Sequence, residues 1–426
     1  MLSVKHLLSV GSLIPILLIS CSPQSNNQPP ASTRISAQDV VSHITYLASD
    51  SLNGREAGSP EEAIAANYIA DLFRDYGLEP AGDDRTYFQE FTINTAMLNN
   101  PHANESDSAG EKRISRNVVG MLQGTGKSNE FIIIGAHYDH LGKGAFGSLY
   151  SGEARIHNGA DDNASGTAGL LELAQYFSGN RPNTDLLFIA FSGEEMGLLG
   201  SAHYVSSPTA DLNNALAMIN MDMIGRMNNQ QLMIFGTGTT AQWETILQQT
   251  NQDSLSLDLV KEGTGASDHT SFYYKNIPVL HYFTDTHADY HRPSDDTDYI
   301  NAEGEVLALK HLARVIQQLD SIDKADFAFV EAPGKQQQSM SLEGPTLGVL
   351  PDYGYDGKGM KITGVTENRP AQKAGLQAGD IIIKIAGEDL ADIYAYMEAL
   401  NKLKKGQKTT ITILRKDKEL TFDLQL

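Results

Sequence analysis

The stretch "LLFIAFSGEEMGLLGS" (residues 186–201) decides how this chain is read. Its apolar run, Leu186 to Phe191, has the length and composition of a strand buried on both faces, and it stops at Ser192-Gly193. Two adjacent carboxylates follow, Glu194 and Glu195. Unpaired carboxylates are costly to bury, so a strand that ends this way needs positive charge beside it.

Outward from this run the pattern repeats. Strand-like runs occur at 131–136 ("FIIIGA"), 185–191, 215–220 ("ALAMIN") and 277–283 ("IPVLHYF"), and helical spacing occurs at 166–177, 240–250 and 305–319. Continuous apolar strands alternating with helices predict an α/β three-layer sandwich with a mostly parallel central sheet. In such sheets functional groups gather past the carboxyl ends of the strands. Upstream, Val40, Val41, Ile44, Tyr46 and Leu47 have helical spacing, and Ser59-Pro60-Glu61-Glu62 reads as an N-cap with a capping-box Glu before a helix that Gly77 stops. Residues 94–117 are polar and aperiodic, which predicts a surface loop.

The chain has 426 residues, 41% hydrophobic and 20% charged, the balance of a globular protein long enough for one large domain and a small one. A net charge of −21 argues against nucleic-acid binding. From Thr346 onward the charge is nearly balanced, 12 Lys+Arg against 11 Asp+Glu, so the acidity lies upstream and suggests two units. At the N-terminus, Lys5 precedes an apolar stretch, Leu7 to Ile19, of secretory-signal length. It ends in Leu18-Ile19-Ser20-Cys21, which resembles a bacterial lipobox and makes Cys21, the chain's one cysteine, the expected lipidated residue. Residues 1–20 are then a signal peptide and 21–35 a flexible tether.

Five segments offer imidazole or carboxylate groups. "GAHYDHLG" carries His137, Asp139 and His140; "NGADDNASG" carries Asp161 and Asp162; "FSGEEMG" carries Glu194 and Glu195; "NMDMIG" carries Asp222; "THADYHRPSDD" carries His287, Asp289, Tyr290, His291 and Asp295. Singly, each has an ordinary explanation: a helix cap, a turn aspartate, a solvated loop. Together they would pile repulsion on one sheet edge unless cations sit among them. Imidazole with carboxylate suits zinc, with cobalt or manganese as substitutes, and this many groups suits two ions sharing a carboxylate. A phosphate loop at "GMLQGTGKS" is excluded because Met121 stands where glycine is required, and no H-E-x-x-H occurs. His157, His269 and His287 remain candidates to line the pocket.

In order and composition these five blocks resemble the co-catalytic di-zinc aminopeptidase family, over roughly residues 40–320. The resemblance implies a zinc exopeptidase fold with one zinc held by His137 and Asp222, the other by Glu195 and His291, and Asp162 bridging. It further implies that Asp139 orients His137, that Glu194 is the general base for a water shared by the metals, and that Tyr290, as in some members, hydrogen-bonds the tetrahedral intermediate. The expected activity is removal of N-terminal residues from peptides with a free amine. Alternatives are a carboxypeptidase or dipeptidase of the same superfamily, a glutaminyl cyclase, or a non-catalytic peptide-binding protein.

Past an aperiodic linker (323–345), residues 346–426 resemble a bacterial PDZ domain, small and β-rich, ending in a hairpin. The resemblance implies that Leu347-Gly348-Val349 cradles the carboxylate of a C-terminal peptide ligand, beside a helix near Ile393 to Leu400. The catalytic domain is then 36–322. The expected location is the bacterial cell envelope, lipid-anchored at the outer membrane, with no other membrane contact.

Overall fold

The computed structural model describes residues 34–94, 111–126, 129–144, 147–150, 152–332, 347–351, 357–365, 369–391, 395–396, 399–400, 402–404, 406–416 and 418–426. Cys21, the expected signal peptide, most of the tether and much of the linker lie outside them, as does Ile393. Among the described residues no helix is long and apolar enough to cross a membrane.

Four parallel strands form the centre of the large sheet: β4 (Phe131–His137), β5 (Asp185–Phe191), β6 (Ala215–Met221) and β9 (Val279–Phe283), in the order β5-β4-β6-β9. Antiparallel pairing adds β1 (Glu79–Pro80), β2 (Phe88–Asn94) and β3 (Lys112–Leu122) on one side. On the other side β7 (Gln231–Phe235) runs antiparallel to β9 and parallel to β8 (Ser256–Leu259). The expected loop at 94–117 is therefore strand from Lys112 on. Its first residues pair only with β2, and the first positions they bury are polar, Ser115 and Asn117, so they carry no apolar alternation to betray them.

Alternation along the central strands makes the layers. Ile132, Ile134, Leu186, Phe188 and Ile219 face a core with α1 (Ala37–Leu47), α2 (Pro60–Asp75), α3 (Gly166–Gly179) and α7 (Ala302–Leu319). Ile133, Leu187, Ile189, Phe191 and Met218 face the other core, with Tyr204 of α4 (Leu199–Ser206) and Phe272 of α6 (His269–Tyr273). Between the last two in sequence, α5 (Trp243–Thr250) buries Trp243 in the first core. With both faces covered, every residue of β4 and β6 is buried, which explains their unbroken apolar reading.

The helix signals are met with one exception. Ser59 Oγ accepts the Glu62 N–H at 3.0 Å and Pro60 opens α2. Glu62 does not complete a capping box: its side chain turns inward, where it accepts hydrogen bonds from Tyr138 Oη and Ser115 Oγ. In α1, Val40, Ile44 and Leu47 are buried, whereas Val41 and Tyr46 are exposed.

A second sheet runs β10 (Val349–Pro351), β11 (Met360–Val365), β12 (Ile381–Ile385), β14 (Lys408–Arg415) and β15 (Lys418–Gln425), with β13 (Glu388–Asp389) pairing β12. It has its own core around Leu347, Ile362, Ile382, Ile411 and Ile413. The expected hairpin is β14–β15. Gly348, at φ +71°, immediately precedes β10 beside buried Leu347, whose carbonyl accepts the Ala371 N–H.

Candidate metal centre

The expected residues converge past the carboxyl ends of the four central strands. His137 ends β4, Glu194 and Glu195 follow β5, Asp222 follows β6, and His291 lies between β9 and α7. Asp162 sits in the turn Ala160–Ser165 that enters α3. Of that turn, Asn163 rather than Asp162 accepts main-chain hydrogen bonds: its Oδ1 takes the N–H of Gly166 and of Met223.

Asp162 turns its two oxygens to different histidines. Oδ1 lies 3.4 Å from His137 Nε2, and Oδ2 lies 3.1 Å from His291 Nε2. His137 Nε2 is also 3.4 Å from Asp222 Oδ1, and His291 Nε2 is 3.2 Å from Glu195 Oε2. Zinc bonds of about 2.0–2.2 Å place two ligands of one tetrahedral ion about 3.3 Å apart, so each of these four histidine–carboxylate pairs has the spacing of two ligands on one ion; the sets whose donor atoms all lie within 4.8 Å of one another are His137, Glu194 and Asp222, and His140, Asp162 and Glu195.

The second nitrogen of each ring decides its tautomer. His137 Nδ1 donates to the Asp139 carbonyl at 3.3 Å, and His291 Nδ1 donates to the Gly147 carbonyl at 2.9 Å. A neutral ring would thus aim an Nε2 lone pair at carboxylate oxygens, an arrangement relieved either by a proton on Nε2 or by a metal cation between them. His137 Nε2 and Asp222 Oδ1 are indeed buried without a hydrogen-bond partner. Side-chain carboxylate orientation of His137 is looser than expected, since Asp139 Oδ1 stands 3.6 Å from Nδ1. That oxygen accepts the Glu194 N–H instead.

In the chain alone the electrostatics separate the adjacent glutamates. Burial pushes the Glu194 carboxyl well up, with Asp222, Glu195 and Asp268 adding to the rise. Burial opposes but does not prevent the fall of Glu195 to about 2, driven first by His291. For His137, burial is likewise outweighed, and Asp222 and Glu194 hold the imidazole well above its ordinary range. The surroundings thus drive the two adjacent carboxyls in opposite directions.

Several supports were not assigned from the sequence. Arg55 is fully buried and donates to the carbonyls of Leu47, Tyr138 (2.8 Å), Asn158 (2.7 Å) and Gly159 (3.1 Å), tying together the loops that carry Asp139 and Asp162. Asp295 accepts the N–H groups of Asp161 and Asp162, and Ser267 Oγ donates to Asp222 Oδ2 at 2.8 Å. His140 Nδ1 lies 2.6 Å from Glu195 Oε1. The candidate pocket histidines have other partners: His157 pairs Ser148, His287 pairs Asp161, and His269 stacks on His281. Tyr290 stacks on His291 with ring centroids 3.9 Å apart.

Residues 117–318 match the profile of peptidase family M28, and residues 337–426 match that of the PDZ domain. Aminopeptidase YwaD of Bacillus subtilis is 29% identical over 204 residues, a stretch covering 44% of this chain and 41% of that relative. A solved zinc aminopeptidase from Bacillus subtilis superposes with a TM-score of 0.54 at 19% identity, covering 70% of this chain and 99% of the other. A glutaminyl cyclase from Bacteroides thetaiotaomicron superposes with a TM-score of 0.52 at 16% identity, covering 67% and 98%. At these identities the superpositions establish the α/β fold alone. Over residues 117–318 the chain is thus similar to peptidase family M28, and over residues 337–426 to the PDZ domain.

Proposed function

We propose that the chain is a zinc-dependent aminopeptidase that removes N-terminal residues from peptides. The observation carrying this is the paired donor set, in which Asp162 gives one oxygen to the His137–Asp222 side and the other to the His291–Glu195 side. The names of its relatives agree with it. Two zinc ions per chain follow from that pairing, and cobalt or manganese are the expected substitutes.

Zinc bound there would acidify water and polarise a peptide carbonyl. The chain's own groups supply the rest. Glu194, with Oε2 4.0 Å from His137 Nε2, takes the proton from attacking water and returns it to the leaving amine as the C–N bond breaks. Asp139 holds the Glu194 backbone and faces His137, so base and ligand move together. Glu194, Asp222 and His291 keep 11, 12 and 14% of their side chains exposed, whereas His137 and Asp139 are sealed, which leaves the first three to meet substrate. Tyr290 would steady the reacting carbonyl oxygen.

The wider assignment completes the proposal: a lipid anchor at Cys21 on the bacterial cell envelope, a catalytic domain over 36–322, a linker over 323–345, and a PDZ groove at Leu347-Gly348-Val349 for a C-terminal peptide. Zinc analysis joined to peptides with free and acetylated amines tests the activity. Two zincs with cleavage of free-amine peptides only is the expected result. Turnover of the acetylated peptides would favour a carboxypeptidase, and one zinc with cyclisation of N-terminal glutamine would favour a cyclase.

A further inference from the structure

Glu195 is approached by two histidines, and they take different oxygens. His291 Nε2 lies 3.2 Å from Oε2, at the spacing of two ligands on one ion. His140 Nδ1 lies 2.6 Å from Oε1, well inside that spacing and within the range of a charge-assisted hydrogen bond. We infer that His140 is a positioning residue: its Nδ1–H holds Oε1 of Glu195 so that Oε2 alone is offered to the metal. This rests on the two-zinc reading above, because it concerns the ligand set of the His291 side.

Three further observations agree. His140 is only 2% exposed, so its donor has no water to turn to. Its main-chain N–H donates to the Arg55 carbonyl at 3.2 Å, which fixes the residue from behind. Its ring lies against Gly159, at φ +57°, where an added Cβ would come 2.5 Å from His140 Cδ2. The imidazole thus fits against this backbone because residue 159 carries no side chain. The competing assignment is that His140 is itself a ligand, since its donor atom, Asp162 and Glu195 lie within 4.8 Å of one another. A 2.6 Å gap to Oε1 argues for the hydrogen bond.

The test is zinc retention against chelators of graded strength, counted as zinc per chain, for the wild type, His140→Ala, His140→Asn and His291→Ala. Outer-shell partners are worth about 10–100-fold in metal affinity. His140→Ala is therefore expected to weaken one of two zincs by about 10–100-fold and to spare the other, whose retention reports that the chain is folded. His140→Asn keeps an N–H donor and is expected to recover most of the loss, unlike His291→Ala. Equal, complete loss of one zinc in both His140 variants would make His140 a ligand and overturn the inference; unchanged retention in His140→Ala would also overturn it. A wild type that binds fewer than two zincs would instead sink the two-zinc reading, a distinct outcome.

Discussion

Asp139 reaches from the end of β4 to accept the backbone N–H of Glu194 at 3.2 Å, so the residue that faces His137 also fixes the neighbouring strand's carboxylate. Ligand and base are thereby set relative to one another by one side chain. Asp139→Ala is expected to lower kcat by about 10–100-fold, the usual scale for loss of an outer-shell partner, with a smaller change in KM. Steady-state kinetics with a free-amine peptide checks it.

Glu194 and Glu195 should separate cleanly. Glu194→Gln preserves size and is expected to keep the metals while losing about 10²–10⁴-fold in kcat, the span of general-base catalysis. Glu195→Ala is expected to lose zinc. Zinc content measured beside activity distinguishes them, and equal zinc loss in both variants would break the division of roles.

Arg55 is a buried cation with no carboxylate within ion-pair distance among the described residues, and its charge is balanced by Asp139, Asp162, Asp295 and Glu195 farther off. Burial lowers its pKa to about 10, so it stays charged at neutral pH. Arg55→Met would strand four buried carbonyls and remove that charge, an expected loss of about 3 kcal/mol or more. Arg55→Lys would recover little, because an ammonium cannot span four carbonyls as the guanidinium fork does. Urea unfolding of both variants measures this.

Glu172 of α3 gives a pH dependence away from the metal centre. Burial raises its carboxyl to about 7, opposed by the Ser36 N–H and helped by Asp39. A folded pKa above the ordinary value of about 4.5 means the folded chain holds this proton more tightly than the unfolded chain. The contribution is full below about 4.5 and declines as pH rises to about 7, by of order 3 kcal/mol. Glu172→Gln, which can still accept from Ser36, is expected to flatten that decline; the difference in urea midpoint between wild type and variant at pH 5 and pH 8 shows it.

The parts of the centre that were legible in sequence are those that close apolar strands. His137, Glu194, Glu195 and Asp222 follow runs whose burial is written in composition, and a sheet of this kind brings such ends together. His291 and Asp162, in loops, were placed only by the resemblance of their blocks. Arg55 was not legible, because three of its four partners lie 83 to 104 residues away and all four are main-chain carbonyls, which leave no trace in side-chain pattern. Glu62 misled for a related reason: the local capping signal was sound, but a tertiary hydrogen bond to Tyr138 won its side chain. His140 was in view but had no local feature to separate a ligand from a ligand's support.

The shared carboxylate of Asp162 is the hinge of the whole assignment, and zinc per chain in Asp162→Ala against wild type tests it most directly. The wild type is expected to hold about two zinc ions and the variant fewer than one, because both sides lose a ligand at once. A variant that retains one zinc at wild-type affinity, or a wild type that holds only one, would contradict a bridge between two metal sites.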